Sequence, residues 1–341
     1  MPITMLPDNA YIQFTPNMRI CRLLNGMWQV SGSHGPVDPR SAIASMGDYQ
    51  ADGYMTWDLA DHYGSSEDFV GLFRRTLSER GQSAPKDFQA FTKWVPRPMD
   101  ITKKIVEQAL DVSRRRMATQ TLDLLQFHWW DYHHTGYLDA LEHMAVLRDQ
   151  GWVRHLALTN FDTEHMRIVT ERGIRVVSNQ VQYSIIDNRP EQQMIDYCQA
   201  NGITLLAYGT FCGGLLSEKY LDAPEPGFSA LNTASLRKYK NMIDVWGGWD
   251  LFQELLRVMQ NIAAKHGVTI ANVAARYILD KPGVAGVIVG VRLGLTDHRV
   301  DNARVFRFTL DQEDYARLHA VTAKAHDVYA ALGDCGDEYR R

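Results

Sequence analysis

The stretch Trp57-Asp58-Leu59-Ala60-Asp61-His62-Tyr63-Gly64-Ser65-Ser66-Glu67 sets an acid and a phenol five residues apart, where an apolar run, Tyr54 to Leu59, gives way to a loop. A strand there holds Asp58 rigidly while the loop swings Tyr63 back over it. An acid beneath a phenol suggests a tuned proton donor, provided a cation also lies close enough to favour the phenolate. Phe91-Thr92-Lys93-Trp94 supplies a lone lysine at the end of the next apolar run, and Leu124-Leu125-Gln126-Phe127-His128 a histidine at the end of a third. Asp, Tyr, Lys and His at successive strand ends are the groups a carbonyl-reducing site needs.

The elements that must position them read as an alternation. Strand-like runs fall at Leu23–Val30, Tyr54–Ala60, Phe88–Trp94, Leu122–Phe127, Val153–Thr159, Val176–Val181, Thr204–Tyr208 and Val284–Val291. They are near-continuously apolar, as strands buried on both faces should be. Between them lie helical stripes, such as Ile101, Ile105, Val106, Ala109 and Leu110, or Leu138, Leu141 and Ala145. Asp162 can cap a helix that Gly173 ends, and Pro190 begins one that Gly202 ends. Eight strand–helix units with no linker between halves predict one (β/α)8 TIM barrel spanning 1–341, a single domain. A possible hairpin at Asn9–Cys21 precedes it, a long Gly, Pro and Ser-rich loop follows strand 7 at Thr210–Gly248, and an extra C-terminal helix lies in Leu310–Ala331. A structureless connection of that length usually covers a site.

In such barrels the reactive residues occupy the C-terminal strand ends. Singly, each has a plainer role: a strand-end Asp caps a helix, a loop Tyr packs, a strand-end Lys is solvated, a His sits satisfied in the core. All four on one rim, in consecutive units, point to a site.

Composition bounds the rest. The chain is 45% hydrophobic and 22% charged, with net charge −4, which argues against nucleic acid as the main partner. The basic triplet Arg114-Arg115-Arg116 reads as a solvated helix end. Met1–Ala10 lacks a basic start and apolar run, and no stretch reaches the ~18 apolar residues of a membrane span. The four cysteines, Cys21, Cys198, Cys212 and Cys335, show no CxxC and read as reduced thiols in a cytoplasmic protein. The expected partner is a small molecule, with no nucleic acid and no membrane, and the chain is expected to be a monomer or small homo-oligomer.

The motifs resemble those of the aldo-keto reductases over nearly the whole chain. Asp58-x-Ala60-x-x-Tyr63-Gly64-x-Ser66-Glu67 looks like that family's strand-2 signature. Thr92-Lys93, Leu122 to His128, Gly151-x-Val153-Arg154, Thr159-Asn160-Phe161, Asn179 to Ser184, Ala207-Tyr208 and Gly213-Gly214-Leu215-Leu216 continue it. The resemblance implies a barrel that binds NADPH/NADP+ without a Rossmann fingerprint, in keeping with the lack of a GxGxxG motif after a strand. It further implies that Tyr63 donates a proton to a carbonyl oxygen and that Lys93 lowers the phenol's pKa from its usual ~10. Asp58 would pair with Lys93, and His128 would hydrogen-bond the carbonyl oxygen. Tyr63 and His128 would then meet the developing oxyanion with donors.

For the cofactor, the resemblance gives Asn160 and Gln180 the carboxamide, with Thr159 in place of the common serine, and stacks Tyr208 on the nicotinamide. Gly209, Thr210, Phe211, Gly213 and Leu215 would lay backbone N–H groups along the pyrophosphate. Arg292, His298 and Arg299 are candidates for the 2′-phosphate and Asn302 for the adenine; Leu293-Gly294-Leu295 lengthens this segment relative to the commoner pattern, which leaves the phosphate ligand open among the three.

Tryptophans Trp28, Trp94 and Trp129, with Trp130 and the loop-side Trp246 and Trp249, suggest an apolar or aromatic substrate region. His128 to His134 holds three histidines and an acid, but without the i, i+4 spacing of a zinc helix, and no metal is expected. Two other functions remain open at this level: an NADP(H)-binding sensor barrel regulating a partner protein, and a Schiff-base lyase using Lys93.

Overall fold

The computed structural model describes residues 5–31, 37–83, 85 and 87–340, so the first four residues of the Met1–Ala10 stretch lie outside it. Two short strands, β1 (Tyr11–Thr15) and β2 (Met18–Cys21), form an antiparallel hairpin. Eight more close into a parallel barrel: β3 (Leu23–Gly26), β4 (Thr56–Asp58), β5 (Gln89–Trp94), β6 (Leu122–Phe127), β7 (Val153–Thr159), β8 (Ser178–Gln182), β9 (Thr204–Tyr208) and β10 (Val284–Gly290). Each pairs with the next, and β10 closes on β3, setting Gly290 beside Gly26.

The (β/α)8 barrel with its N-terminal hairpin is therefore as the sequence predicts. β6, β7 and β9 keep their predicted bounds. β4 is shorter, three residues instead of seven, although the Leu59 and Asp61 N–H groups still donate to the Phe91 and Lys93 carbonyls across the gap.

Strand periodicity explains the placement of the chemistry. Side chains alternate, so residues two apart share a face. Phe91, Leu124, Ala157, Leu206 and Ala285 pack in one cluster with Phe14, Met18 and Ile20 of the hairpin, which seals the N-terminal end. Two residues further along the same strands come Lys93, Gln126, Thr159 and Tyr208. An apolar lower layer and a polar upper layer thus follow from one register.

Helices cover the outside. Asp162 accepts the His165 N–H at 2.7 Å and caps Thr163–Glu171, as predicted. Pro190 instead lies in a 3-10 turn, and the helix proper is Met194–Ala200. Thr210–Gly248 is not structureless. It carries three 3-10 turns and the helix Ala234–Trp246, whose Tyr239, Met242, Ile243 and Trp246 join a second core with helix Gly248–His266. The C-terminal pattern resolves into two helices, Gln312–Thr322 and Val328–Leu332. No helix among the described residues is long and apolar enough to cross a membrane.

Candidate active site

Asp58 and Lys93 meet at the top of the interior, each about 3% exposed. The Lys93 ammonium donates to Asp58 Oδ2 at 2.7 Å and to the Leu59 carbonyl at 2.9 Å. The other carboxylate oxygen, Oδ1, accepts from Gln126 Nε2 at 3.0 Å and Gln180 Nε2 at 2.7 Å. A buried carboxylate surrounded by one cation and two amides is fully satisfied, which is what permits a charge at this depth. Burial draws the Lys93 pKa down while Asp58 opposes it.

Tyr63 rides above this pair. Its N–H closes a turn onto the Ala60 carbonyl at 3.1 Å, and its ring lies 4.8 Å from the Lys93 ammonium. Trp28 and His62 meet the ring edge-on, at 5.0 and 4.8 Å between centroids. The expected lowering of the phenol's pKa does not hold. Burial first, then the negative charge of Asp58, raises it well above its ordinary value. The ammonium faces the ring with its donors turned to Asp58 and the Leu59 carbonyl, and the carboxylate's charge prevails at the phenol. Tyr63 is therefore fully protonated at neutral pH, a loaded donor.

His128 brings a second correction. Its Nδ1 lies 3.1 Å from the Thr159 carbonyl, which can only accept, so Nδ1 carries the hydrogen. Burial lowers its pKa to about 4. The ring is therefore neutral and its Nε2, buried and without a partner among the described residues, offers a lone pair. His128 is an acceptor here, not the second donor expected at the carbonyl oxygen. The low pKa also predicts a pH dependence. The unfolded state takes up this proton near 6.5 and the folded state only near 4, so stability falls as pH drops through that window. The total loss should be about 3 kcal/mol. Comparing urea unfolding of wild type and His128→Asn between pH 7 and pH 4 checks this: the variant should show a flatter slope, and parallel slopes would contradict it.

The cofactor candidates are spread along the same rim. Asn160, at φ 55°, accepts the Tyr208 hydroxyl at 2.8 Å. Gln180 is less free than expected, because its amide nitrogen serves Asp58 and Gln126 Oε1, both at 2.7 Å. The Thr159 hydroxyl donates to the Gln180 carbonyl at 3.1 Å. In the 209–215 loop, the N–H groups of Cys212, Gly214 and Leu215 close onto loop carbonyls, the Thr210 hydroxyl onto the Tyr183 carbonyl, and Leu215 is core; Phe211 is half-buried against both cores. Gly209 and Gly213 are required for a different reason than expected. A Cβ there would lie 2.4 and 2.9 Å from Tyr239, so they let this ring pack.

At the far end, Arg299 is held by Asp297 at 2.7 Å, by Asp48 at 3.8 Å and by Asp52, which raises its pKa. A guanidinium so surrounded is a poor phosphate ligand. Arg292 and His298 are exposed, and no ion pair holds Arg292 among the described residues; Asn302 sits half-buried on the short helix Arg299–Asn302.

Among the tryptophans, Trp28 and Trp130 lie at the rim as expected. Trp94 and Trp129 are buried in the core: Trp94 packs on Phe127 at 5.5 Å, and Trp129 donates its indole N–H to the Asp131 carbonyl at 2.7 Å. Trp246 and Trp249 are core as well. Trp130 stands at the mouth, 39% exposed and 4.3 Å from the His128 ring. Arg116 is not simply solvated, since it reaches Glu67 at 3.4 Å and the Asp61 carbonyl at 3.2 Å. Gln126, Lys238 and Tyr339 also belong to the site and were not singled out from sequence. A separate cavity of about 420 Å³, lined by Arg74, Asp123 and Arg154, opens at the barrel's N-terminal end, away from these groups.

Comparison with known proteins gives the family. Residues 22–323 match the Aldo/keto reductase family, and the chain belongs to that family of oxidoreductases. It is 26% identical over 277 residues to the aldo-keto reductase YhdN of Bacillus subtilis, covering 78% of this chain and 80% of that one. It is 34% identical over 180 residues to flagellar radial spoke protein 5 of Chlamydomonas reinhardtii, 47% of this chain but only 34% of that longer relative. In fold it resembles the glycerol dehydrogenase of Gluconobacter oxydans, with TM-score 0.74 at 21% identity over 95% of this chain and 96% of that one. An aldo-keto reductase of Klebsiella pneumoniae in complex with NADP and acetate gives TM-score 0.68 at 21% identity, covering 92% and 95%.

Proposed function

We propose that this chain is an NADP(H)-dependent oxidoreductase that reduces an aldehyde or ketone to an alcohol, with Tyr63 as the proton donor. The observation that carries the reading is the Tyr63 phenol held over the buried Lys93–Asp58 pair beside a His128 Nε2 with no partner among the described residues. The residues present fit the cofactor. Asn160 and Tyr208 lie at the catalytic end, and at the other Arg292 offers an exposed guanidinium with no ion pair among the described residues.

When bound, NADPH supplies the hydride. Tyr63 passes its phenolic proton to the carbonyl oxygen as negative charge builds there, and the phenolate left behind lies over the Lys93 ammonium. Asp58 and its two amides keep that ammonium in place. The new hydroxyl can then donate to His128 Nε2, an acceptor suited to the alcohol rather than the carbonyl; read in reverse, His128 orients an alcohol for oxidation. Trp28 and Trp130 flank the mouth and favour an apolar or aromatic substrate. A Schiff base at Lys93 is disfavoured because its nitrogen is already bound to Asp58 and Leu59.

NADPH consumption followed with a panel of aromatic aldehydes tests the reading; a chain that binds NADPH but turns over none of them would favour a sensor role. For cofactor choice, Arg292→Ala should raise the KM for NADPH about tenfold or more, since a charge-assisted contact to phosphate is worth roughly 1.5–3 kcal/mol. NADH constants should barely change. Equal weakening toward both cofactors, or a wild type that prefers NADH, would contradict the assignment.

A further inference from the structure

The C-terminal segment after helix Val328–Leu332 folds back onto the reactive rim, and nothing in the mechanism above uses it. It is clamped at several points. Arg189, fully buried, donates to Glu338 Oε2 at 2.8 Å and to the Asp334 carbonyl at 3.1 Å, while its remaining edge grips both oxygens of Asp187 at 2.8 Å. The Thr163 N–H donates to Asp334 Oδ2 at 2.8 Å, and Arg340 Nη2 to the Trp129 carbonyl at 2.6 Å. Gly336, at φ 92°, passes so near the site that a Cβ would lie 2.1 Å from the Asn160 carbonyl oxygen. Such a fit admits only glycine.

These clamps deliver Tyr339 to the mouth, its ring edge-on to His128 at 6.1 Å and Trp130 at 6.3 Å. Its hydroxyl is bound by the Lys238 ammonium and lies 2.9 Å from the Tyr208 hydroxyl, which in turn lies 2.8 Å from Asn160 Oδ1. Lys238 itself sits against the rings of Tyr208, Tyr239 and Tyr339, at 5.1, 5.6 and 4.4 Å.

The chain of bonds has one direction. Tyr208 gives its single hydrogen to Asn160 Oδ1, so the Tyr339 hydroxyl donates to Tyr208, and the Lys238 ammonium, which can only donate, occupies the Tyr339 oxygen. Asn160 thus turns its oxygen inward and presents its Nδ2 outward as a donor with no partner among the described residues. The cation favours this order, because drawing on the Tyr339 oxygen strengthens the hydrogen bond that this hydroxyl gives to Tyr208.

Given the cofactor assigned above, we propose that Tyr339, polarised by Lys238, is a positioning residue for the nicotinamide end: through Tyr208 it fixes the Asn160 amide as a donor to the carboxamide oxygen. The C-terminal segment then serves cofactor binding although it lies outside the barrel.

Binary titrations, without substrate, test this on the full chain. Tyr339→Phe keeps the ring and removes the relay; Lys238→Met keeps the stem and removes its head. Each should raise the Kd for NADP+ about threefold to tenfold, the range of one neutral hydrogen bond. Each should leave the Kd for 2′,5′-ADP, which has no nicotinamide, within twofold. The thionicotinamide analogue, whose sulfur accepts poorly, should bind wild type more weakly than NADP+ does and be indifferent to both substitutions. NADP+ and 2′,5′-ADP weakened together would show a merely structural role, and unchanged NADP+ binding in both variants would remove the relay; either overturns the inference and leaves the cofactor reading standing. A wild type that binds neither NADP+ nor 2′,5′-ADP would overturn both.

Discussion

Tyr63→Phe should lower kcat by about 10²–10⁴-fold, the span associated with a positioned general acid, while the Kd for NADPH stays within twofold of wild type. The ring contacts to Trp28, His62 and the Lys93 ammonium all survive the change, so only the proton is lost. A drop in kcat with matched binding is the mark of an interaction made in the transition state alone. Steady-state kinetics with one aldehyde, beside a cofactor titration, would show it. Turnover within a few-fold of wild type would mean another group delivers the proton. The raised pKa adds a condition: with Tyr63 protonated throughout, wild-type kcat for reduction should show no loss of activity from phenol ionisation between pH 6 and 9.

The second large effect concerns the pair beneath it. Lys93→Met leaves the Asp58 carboxylate buried with two amide donors and no cation. Breaking a buried pair by removing one partner typically costs about 3–5 kcal/mol, because the orphaned charge keeps its desolvation penalty. Urea unfolding should report a loss of that size. The double variant Asp58→Asn/Lys93→Met removes the orphan charge and should recover most of it, yet remain inactive, because no ammonium then lies under the phenolate. A single variant within 1 kcal/mol of wild type would show that Asp58 is not held charged in the fold, and an active double variant would remove Lys93 from the mechanism.

How far these features can be read from sequence depends on whether they are local. β6, β7 and β9 are mostly apolar runs, so their bounds and the phase of their side chains follow directly. That phase also contains information the composition obscures. His128 and Trp130 share one parity past the end of β6 and reach the mouth, whereas Trp129 has the other parity and enters the outer core. Gln126, in phase with Leu124, could have been found in the same way. The features that escape are tertiary. The tautomer of His128 is set by a backbone carbonyl 31 residues away, and the high pKa of Tyr63 by a balance between burial and Asp58 that spacing does not reveal. Arg299 reads as a free cation until Asp48 and Asp52 fold against it. Tyr339 reaches the site because of the Arg189–Glu338 pair, 149 residues apart, and no periodicity in a short polar tail announces that contact.

The most direct test of the central claim is product analysis with NADPH deuterated at the transferable C4 position and an aromatic aldehyde. If the protein is the reductase proposed here, wild type places one deuterium on the carbinol carbon per cofactor consumed, and Tyr63→Phe does so at least about a hundredfold more slowly. Alcohol formed without deuterium at carbon, or labelled equally fast by the Tyr63→Phe variant, would contradict it.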